Sequence, residues 1–209
     1  MAPVQHRSSL ARASGYFRTI AGEDGGFPTY RKGDPSEVGM TGGALAGAGG
    51  DHGYLLRGAG RWLLDAQHED GTFERSWSLS EANTIWRALW ALHSLPEATH
   101  TALKARIARA SAASRRFLAE VQNSDGGRGF RPGDPSDLAS TRYSLLALSA
   151  LGRRVGMDAL VRAGVGHLLT LQKADGGTAP PDRVAPGRCC SMRLLRRYPG
   201  SAGPVRLRQ

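Results

Sequence analysis

The acids best placed to do chemistry in this 209-residue chain are Glu37 and Asp137. Each follows an Asp-Pro-Ser sequence, Asp34-Pro35-Ser36 or Asp134-Pro135-Ser136, and opens a run of small and apolar residues. In that setting Asp34 and Asp134 are expected helix N-caps, with Glu37 and Asp137 at the third position. A carboxylate there usually complements the helix dipole, which makes it a poor acid. Turned toward a dry apolar cavity, the same group would be desolvated and could serve as a general acid. A second candidate is aromatic. Trp86 and Trp90 stand one helical turn apart with Asn83 on the same face, and such a wall could stabilise a carbocation by cation–π attraction. Packing of two core tryptophans is the competing reading.

Other chemistries find little support. The six histidines (6, 52, 68, 93, 100 and 167) are scattered singly, and the two cysteines, Cys189 and Cys190, are adjacent. Adjacent cysteines suit neither a disulfide framework nor a zinc site. No Ser/His/Asp arrangement or phosphate-cradling loop stands out, so no metal and no cofactor are expected. Gly42-Gly43, Gly47 and Gly49-Gly50 read as close helix packing or a loose helix end rather than a dinucleotide fingerprint.

The elements that would carry these residues follow from an internal repeat. One phrase runs Arg57-Gly58, Trp62-Leu63, Gln67 and Asp70-Gly71-Thr72-Phe73. It returns as Phe117-Leu118, Gln122, Asp125-Gly126-Gly127, and as Arg162-Ala163, His167-Leu168, Gln172, Asp175-Gly176-Gly177. A degenerate first copy reads Arg12-Ala13, Tyr16-Phe17, Ala21, Asp24-Gly25-Gly26-Phe27. Self-similarity at a period of roughly fifty residues marks a repeat architecture. Each phrase ends an amphipathic helix, as Leu55, Leu56, Ala59, Trp62, Leu63 and Ala66 show by their three- and four-residue steps, and the Asp-Gly stops it.

After each stop a second helix is expected: Val38 to about Gly47, Glu81 to about His93, and Asp137 to about Leu151. Ser78-Leu79-Ser80-Glu81 reads as a capping box for the second of these. These helices are apolar around most of their circumference and should lie inside, with the more charged phrase helices outside. Residues 97–110 add helical material before the third outer helix, and a fourth outer helix is expected over about 157–172. After Gly177 the pattern ends. Residues 179–209 read as a basic Pro/Gly/Arg-rich tail, either disordered or displaced from the repeat by a frameshift or truncation.

That tail decides the meaning of the charge. The chain carries a net +10, but the tail alone holds seven arginines against Asp182, and the remainder shows no basic helix face with interleaved aromatics. Nucleic-acid binding is therefore not expected. There is no apolar run long enough to span a bilayer and no apolar signal core at the start. A cytoplasmic location is expected, with peripheral membrane contact allowed.

Arg57-Gly58, Trp62-Leu63, Gln67, Gly71 and Phe73 together resemble the QW motif of squalene and oxidosqualene cyclases, with Phe in place of the closing Trp. The chain thus resembles the terpene-cyclase and protein-prenyltransferase repeat superfamily over about residues 12–178. The resemblance implies an all-α fold, an α/α toroid, here incomplete with about three and a half helix pairs. It also implies structural roles for Trp62, Gln67, Phe73, Gln122 and Gln172, the Gln hydrogen-bonding an inner-helix N-terminus while the aromatic stacks on it.

Two departures limit what the resemblance implies about activity. Class II cyclases open an inner helix with Asp-x-Asp-Asp-Thr, whose middle Asp protonates the substrate. Aligned on Thr41, Thr84 and Thr141, that place falls to Gly39, Ala82 and Ala139. The zinc ligands of prenyltransferase β subunits have no match either. The expectation is a repeat domain over 1–178, of the terpene cyclase or prenyltransferase kind. It would act on an isoprenoid lipid and be incomplete or inactive alone, with a second chain completing the toroid as a candidate partner. The alternative is a non-catalytic helical-repeat module that binds a lipid or a protein.

Overall fold

The computed structural model describes residues 7–47, 53–75, 80–152 and 157–178; the expected tail, 179–209, and the Ser78-Leu79 part of the capping box lie outside them. Among the described residues all regular structure is helical. In chain order the helices are α1 (Arg7–Ile20), α2 (Val38–Gly47), α3 (Gly53–Asp65), α4 (Glu81–His93), α5 (Glu97–Glu120), α6 (Leu138–Ala150) and α7 (Met157–Leu171). The helical material expected from residue 97 is continuous with the third outer helix, so α5 is one helix of 24 residues. None of the helices is long and apolar enough to cross a membrane.

The two-layer arrangement follows from where the apolar residues fall. Helices α2, α4 and α6 pack side by side, with α4 between the other two. Small residues permit the approach: a Cβ on Gly42 of α2 would lie 2.8 Å from the Arg87 carbonyl oxygen of α4. Outer helix α3 lies on α2 and α4, α5 on α4, and α7 on α6. Leu56, Leu63 and Ile107 from the outer layer meet Ile85, Leu89 and Leu92 of α4 in one core, whose burial supplies the main stabilising term.

The repeat phrase builds the joints of this array. Gly25, Gly71 and Gly126 have φ of 88°, 89° and 83°, a backbone that glycine adopts without strain. The loops also press against the next outer helix: a Cβ on Gly71 would sit 2.4 Å from the Ala113 carbonyl carbon, and one on Gly126 2.4 Å from the Ala163 oxygen. Gln67 Nε2 donates to the oxygens of Gly71 (3.2 Å) and Ala110 (3.0 Å). Gln122 Nε2 donates to those of Gly126 (2.8 Å) and Leu160 (3.0 Å). These bonds correct the implied role of the glutamine. Its amide N–H groups need acceptors, so they meet carbonyls of the phrase loop and of the next outer helix rather than an inner-helix N-terminus.

The helix starts also differ from expectation. Asp34 and Asp134 remain in turns, each backbone N–H bonded to the carbonyl three residues earlier. Ser36 and Ser136 are drawn instead to Asp24 and Asp125, at 2.9 and 2.7 Å. Helix α6 therefore begins one residue after Asp137, which is its N-cap rather than its third residue and accepts from Ser140 N at 2.8 Å. Ser80 is the N-cap of α4 in extended conformation, without a side-chain cap bond.

Candidate functional site

Two of the three aligned threonines prove to be loop clasps. Thr41 and Thr141, both fully buried, accept from Phe27 N at 2.8 Å and Arg128 N at 2.9 Å. Thr84 donates to the Glu81 carbonyl. Buried backbone N–H groups need such partners, which explains the threonine at the fourth position of α2 and of α6 without any reaction.

Glu37 and Asp137 stand at the starts of α2 and α6, with α4 between those helices, and do not converge. Glu37 Oε1 accepts from the Thr29 hydroxyl at 2.5 Å, while Asp137 caps α6. Both act within their own repeat. The intervening start holds Glu81, whose carboxyl is pushed above its ordinary value by burial, a rise moderated by Arg75 at 3.9 Å. Burial of this kind favours the protonated carboxyl. Glu81 immediately precedes Ala82, which lies 6% exposed at the aligned donor position.

The face of the inner layer turned away from the outer helices carries the aromatics. On α4, Asn83, Trp86 and Arg87 are partly buried and Trp90 is exposed, one stripe at helical spacing. The Trp86 and Trp90 rings stack, with centroids 6.0 Å apart and planes 13° apart. Trp86 also stacks on Tyr143 of α6 at 5.8 Å and 26°, so the rings bridge two inner helices. Trp90 is 45% exposed. The guanidinium of Arg87 lies 5.6 Å from the Trp86 ring centre and that of Arg142 4.5 Å from Tyr143. Arg87 also donates to Asn83 Oδ1 at 3.4 Å. Met40 and Leu146 add exposed apolar surface on α2 and α6.

The sequence pattern identified Trp86, Trp90 and Asn83, and the structure places them on one face. Tyr143 was legible but missed: alignment on Thr84 and Thr141 puts it at the Trp86 position. Arg87 and Arg142 gave no signal, because a lone arginine on a helix is ordinary. Among the described residues no group of three or more His, Cys, Asp or Glu could hold a metal.

The helical array has a counterpart among solved structures. A crystal structure of a protein from Actinoplanes matches 80% of this chain and 52% of its own length, with a TM-score of 0.59 at 21% identity. That likeness establishes the fold. No family model matches the chain. Sequence comparison is more specific: the chain is 37% identical over 187 residues to a drimenyl diphosphate synthase of Streptantibioticus cattleyicolor, and 37% identical over 188 residues to one of Streptomyces showdoensis. These matches support a terpene cyclase-related family. Each takes in 88% of this chain but 35% of the relative, so the chain spans about a third of the length of the curated relatives it matches.

Proposed function

We propose that this chain is an isoprenoid-handling portion of a terpene cyclase-like protein, with its ligand surface on the open face of α2, α4 and α6. The observation that carries this reading is the three-ring stack of Trp90, Trp86 and Tyr143 across α4 and α6. Stacked faces offer apolar area to a prenyl chain and negative π-density to a cation that develops on it. The similarity to drimenyl diphosphate synthases adds support for a ligand of isoprenoid type, with a diphosphate ester as the first form to try. The paired outer and inner helices fit an incomplete α/α toroid over residues 1–178, and further repeats would be needed to close it.

Catalysis by the chain alone is disfavoured in this reading. Gly39, Ala82 and Ala139 have no proton to give, and Glu37 and Asp137 each use one oxygen, Oε1 and Oδ1, as a hydrogen-bond acceptor within their own repeat. Trp62, Gln67, Phe73, Gln122 and Gln172 belong to the scaffold. The protein is expected to bind an isoprenoid without cyclising it. Titration with geranylgeranyl diphosphate and with squalene, read by tryptophan fluorescence and by product analysis, tests both parts. Saturable quenching without cyclic product is the expected result. An unchanged spectrum with both ligands would contradict the binding site, and a cyclic product would contradict the inactivity.

A further inference from the structure

Three joints of the same design link the outer helices, and a fourth receiving half has no partner helix among the described residues. In each joint the phrase glycine meets the next outer helix: Gly25 faces Gly58, Gly71 faces Ala113 and Gly126 faces Ala163, a Cβ on the glycine lying within 3.0 Å of the listener helix backbone. The phrase glutamine donates to a carbonyl one turn earlier on that helix, Ala110 for Gln67 and Leu160 for Gln122. The phrase aspartate takes a side chain one turn later: Trp62 Nε1 donates to Asp24 at 2.9 Å, and His167 Nδ1 lies 3.4 Å from Asp125.

The loop after α7 has the same form. Gly176 has φ of 83°, Gln172 Nε2 donates to the Gly176 oxygen at 3.3 Å, and Asp175 Oδ1 accepts from Gly177 N at 2.9 Å. Yet among the described residues a Cβ on Gly176 would meet nothing within 4 Å. Gln172 and Asp175 are exposed, and Leu169 is 62% exposed beside them. Val165 is 42% exposed and occupies the register of Gly60, which in α3 faces Leu103 of α5.

The opposite end of the array presents the complementary half. Tyr16, five residues before Ala21 as Trp62 is before Gln67, is 57% exposed. Ser9, Arg12 and Ala13 are exposed on the same stripe of α1. In register, the Ser9 carbonyl corresponds to those of Ala110 and Leu160, and Arg12 to Ala113 and Ala163. Arg12 departs from the small residues at that place, but it sets a cation beside the position Asp175 would take.

We infer that the α7 edge, Gln172 through Gly176, docks α1 of a second copy of this chain, head to tail, by the joint the chain already uses internally. Tyr16 of the incoming copy takes the aspartate, Asp175, as Trp62 takes Asp24. Such a contact is heterologous, so it closes into a ring or continues as an open array according to its angle. The inference stands apart from the isoprenoid reading and survives its failure.

Sedimentation velocity over a wide concentration range tests it with the full chain. The wild type is expected to exceed the 22.3 kDa monomer as concentration rises. Gly176→Asn keeps a residue that tolerates positive φ but fills the space the helix must enter, and Tyr16→Glu places a carboxylate against Asp175. Each variant is expected to weaken association at least about tenfold while retaining its melting temperature. Mixed together, the two variants should form a dimer that stops at two, since one competent edge of each kind remains. A wild type that stays monomeric overturns the inference. Association that persists in both variants overturns it too, because another surface would then be responsible.

Discussion

The loops of the first and third repeats share nearly one hydrogen-bond plan and fill it with opposite chemistry. Glu37 N bonds to the Phe27 oxygen at 3.0 Å and Asp137 N to the Arg128 oxygen at 2.9 Å. In both loops a buried threonine accepts the N–H of the residue that enters the core. In the first repeat that residue is Phe27, packed edge-on against Phe17 at 5.8 Å. In the third it is Arg128, 2% exposed, whose Nε and Nη2 donate to the Leu118 oxygen at 3.0 and 2.7 Å. Burial pulls this guanidinium down to about 10. The aspartate joints differ in the same way, with Trp62 on Asp24 and His167 on Asp125. Backbone bonding and caps define the repeat, and the side chain inside it can change from apolar ring to cation.

The comparison can be broken most severely at the cavity it fills. Phe27→Ala should cost about 3–5 kcal/mol in chemical denaturation, the range for deleting a buried phenylalanine ring; a loss below 1 kcal/mol would mean the first loop does not depend on its ring. Next comes the clasp. Thr41→Val and Thr141→Val each leave a buried backbone N–H without an acceptor, a loss of about 1–3 kcal/mol. Their effects should be similar, and a neutral result at either site would break the equivalence of the loops.

Arg128→Met should be milder, within about 1.5 kcal/mol, because removing a desolvated cation offsets the lost bonds to Leu118. A loss above 3 kcal/mol would show that the buried guanidinium is net stabilising. The smallest effect concerns Asp125, held below its ordinary value of 3.8 first by the Ser136 hydroxyl and further by Gly127 N and His167, against some desolvation. A depressed folded pKa gives stability that is present above the unfolded value and lost as pH falls through the folded one. Asp125→Asn should therefore show a shallower fall in Tm below about pH 4 than the wild type. Since Asp125 is exposed the difference is small, and identical acid profiles would remove the carboxylate from the joint.

Much of the scaffold was legible in residue spacing. The three inner helices and the fourth outer one start and stop within a residue or two of where periodicity and the Asp-Gly stops put them. The Asp-Pro signal misled because Ser36 and Ser136 are captured by aspartates eleven or twelve residues away, a long-range competitor that local capping patterns do not contain. The glutamine partners were hidden for the same reason: Gln67 reaches a carbonyl 43 residues on. On the inner face, Trp86 and Trp90 were visible as a pair. Their continuation into Tyr143 required knowing that α4 and α6 lie side by side, and the raised carboxyl of Glu81 depends on burial that composition does not reveal.

The repeat phrase builds the scaffold, and the proposed ligand surface lies on the inner face. The most direct test is the double substitution Trp86→Leu/Trp90→Leu, with geranylgeranyl diphosphate binding followed by calorimetry and unfolding by thermal melting on the same sample. Binding should weaken at least about tenfold, while Tm shifts by no more than a few degrees, since Trp90 is 45% exposed and Trp86 lies at the margin of the core, only partly buried. Unchanged binding, or a collapse of Tm that accounts for its loss, would return the two tryptophans to the core and contradict the assignment of function to this face.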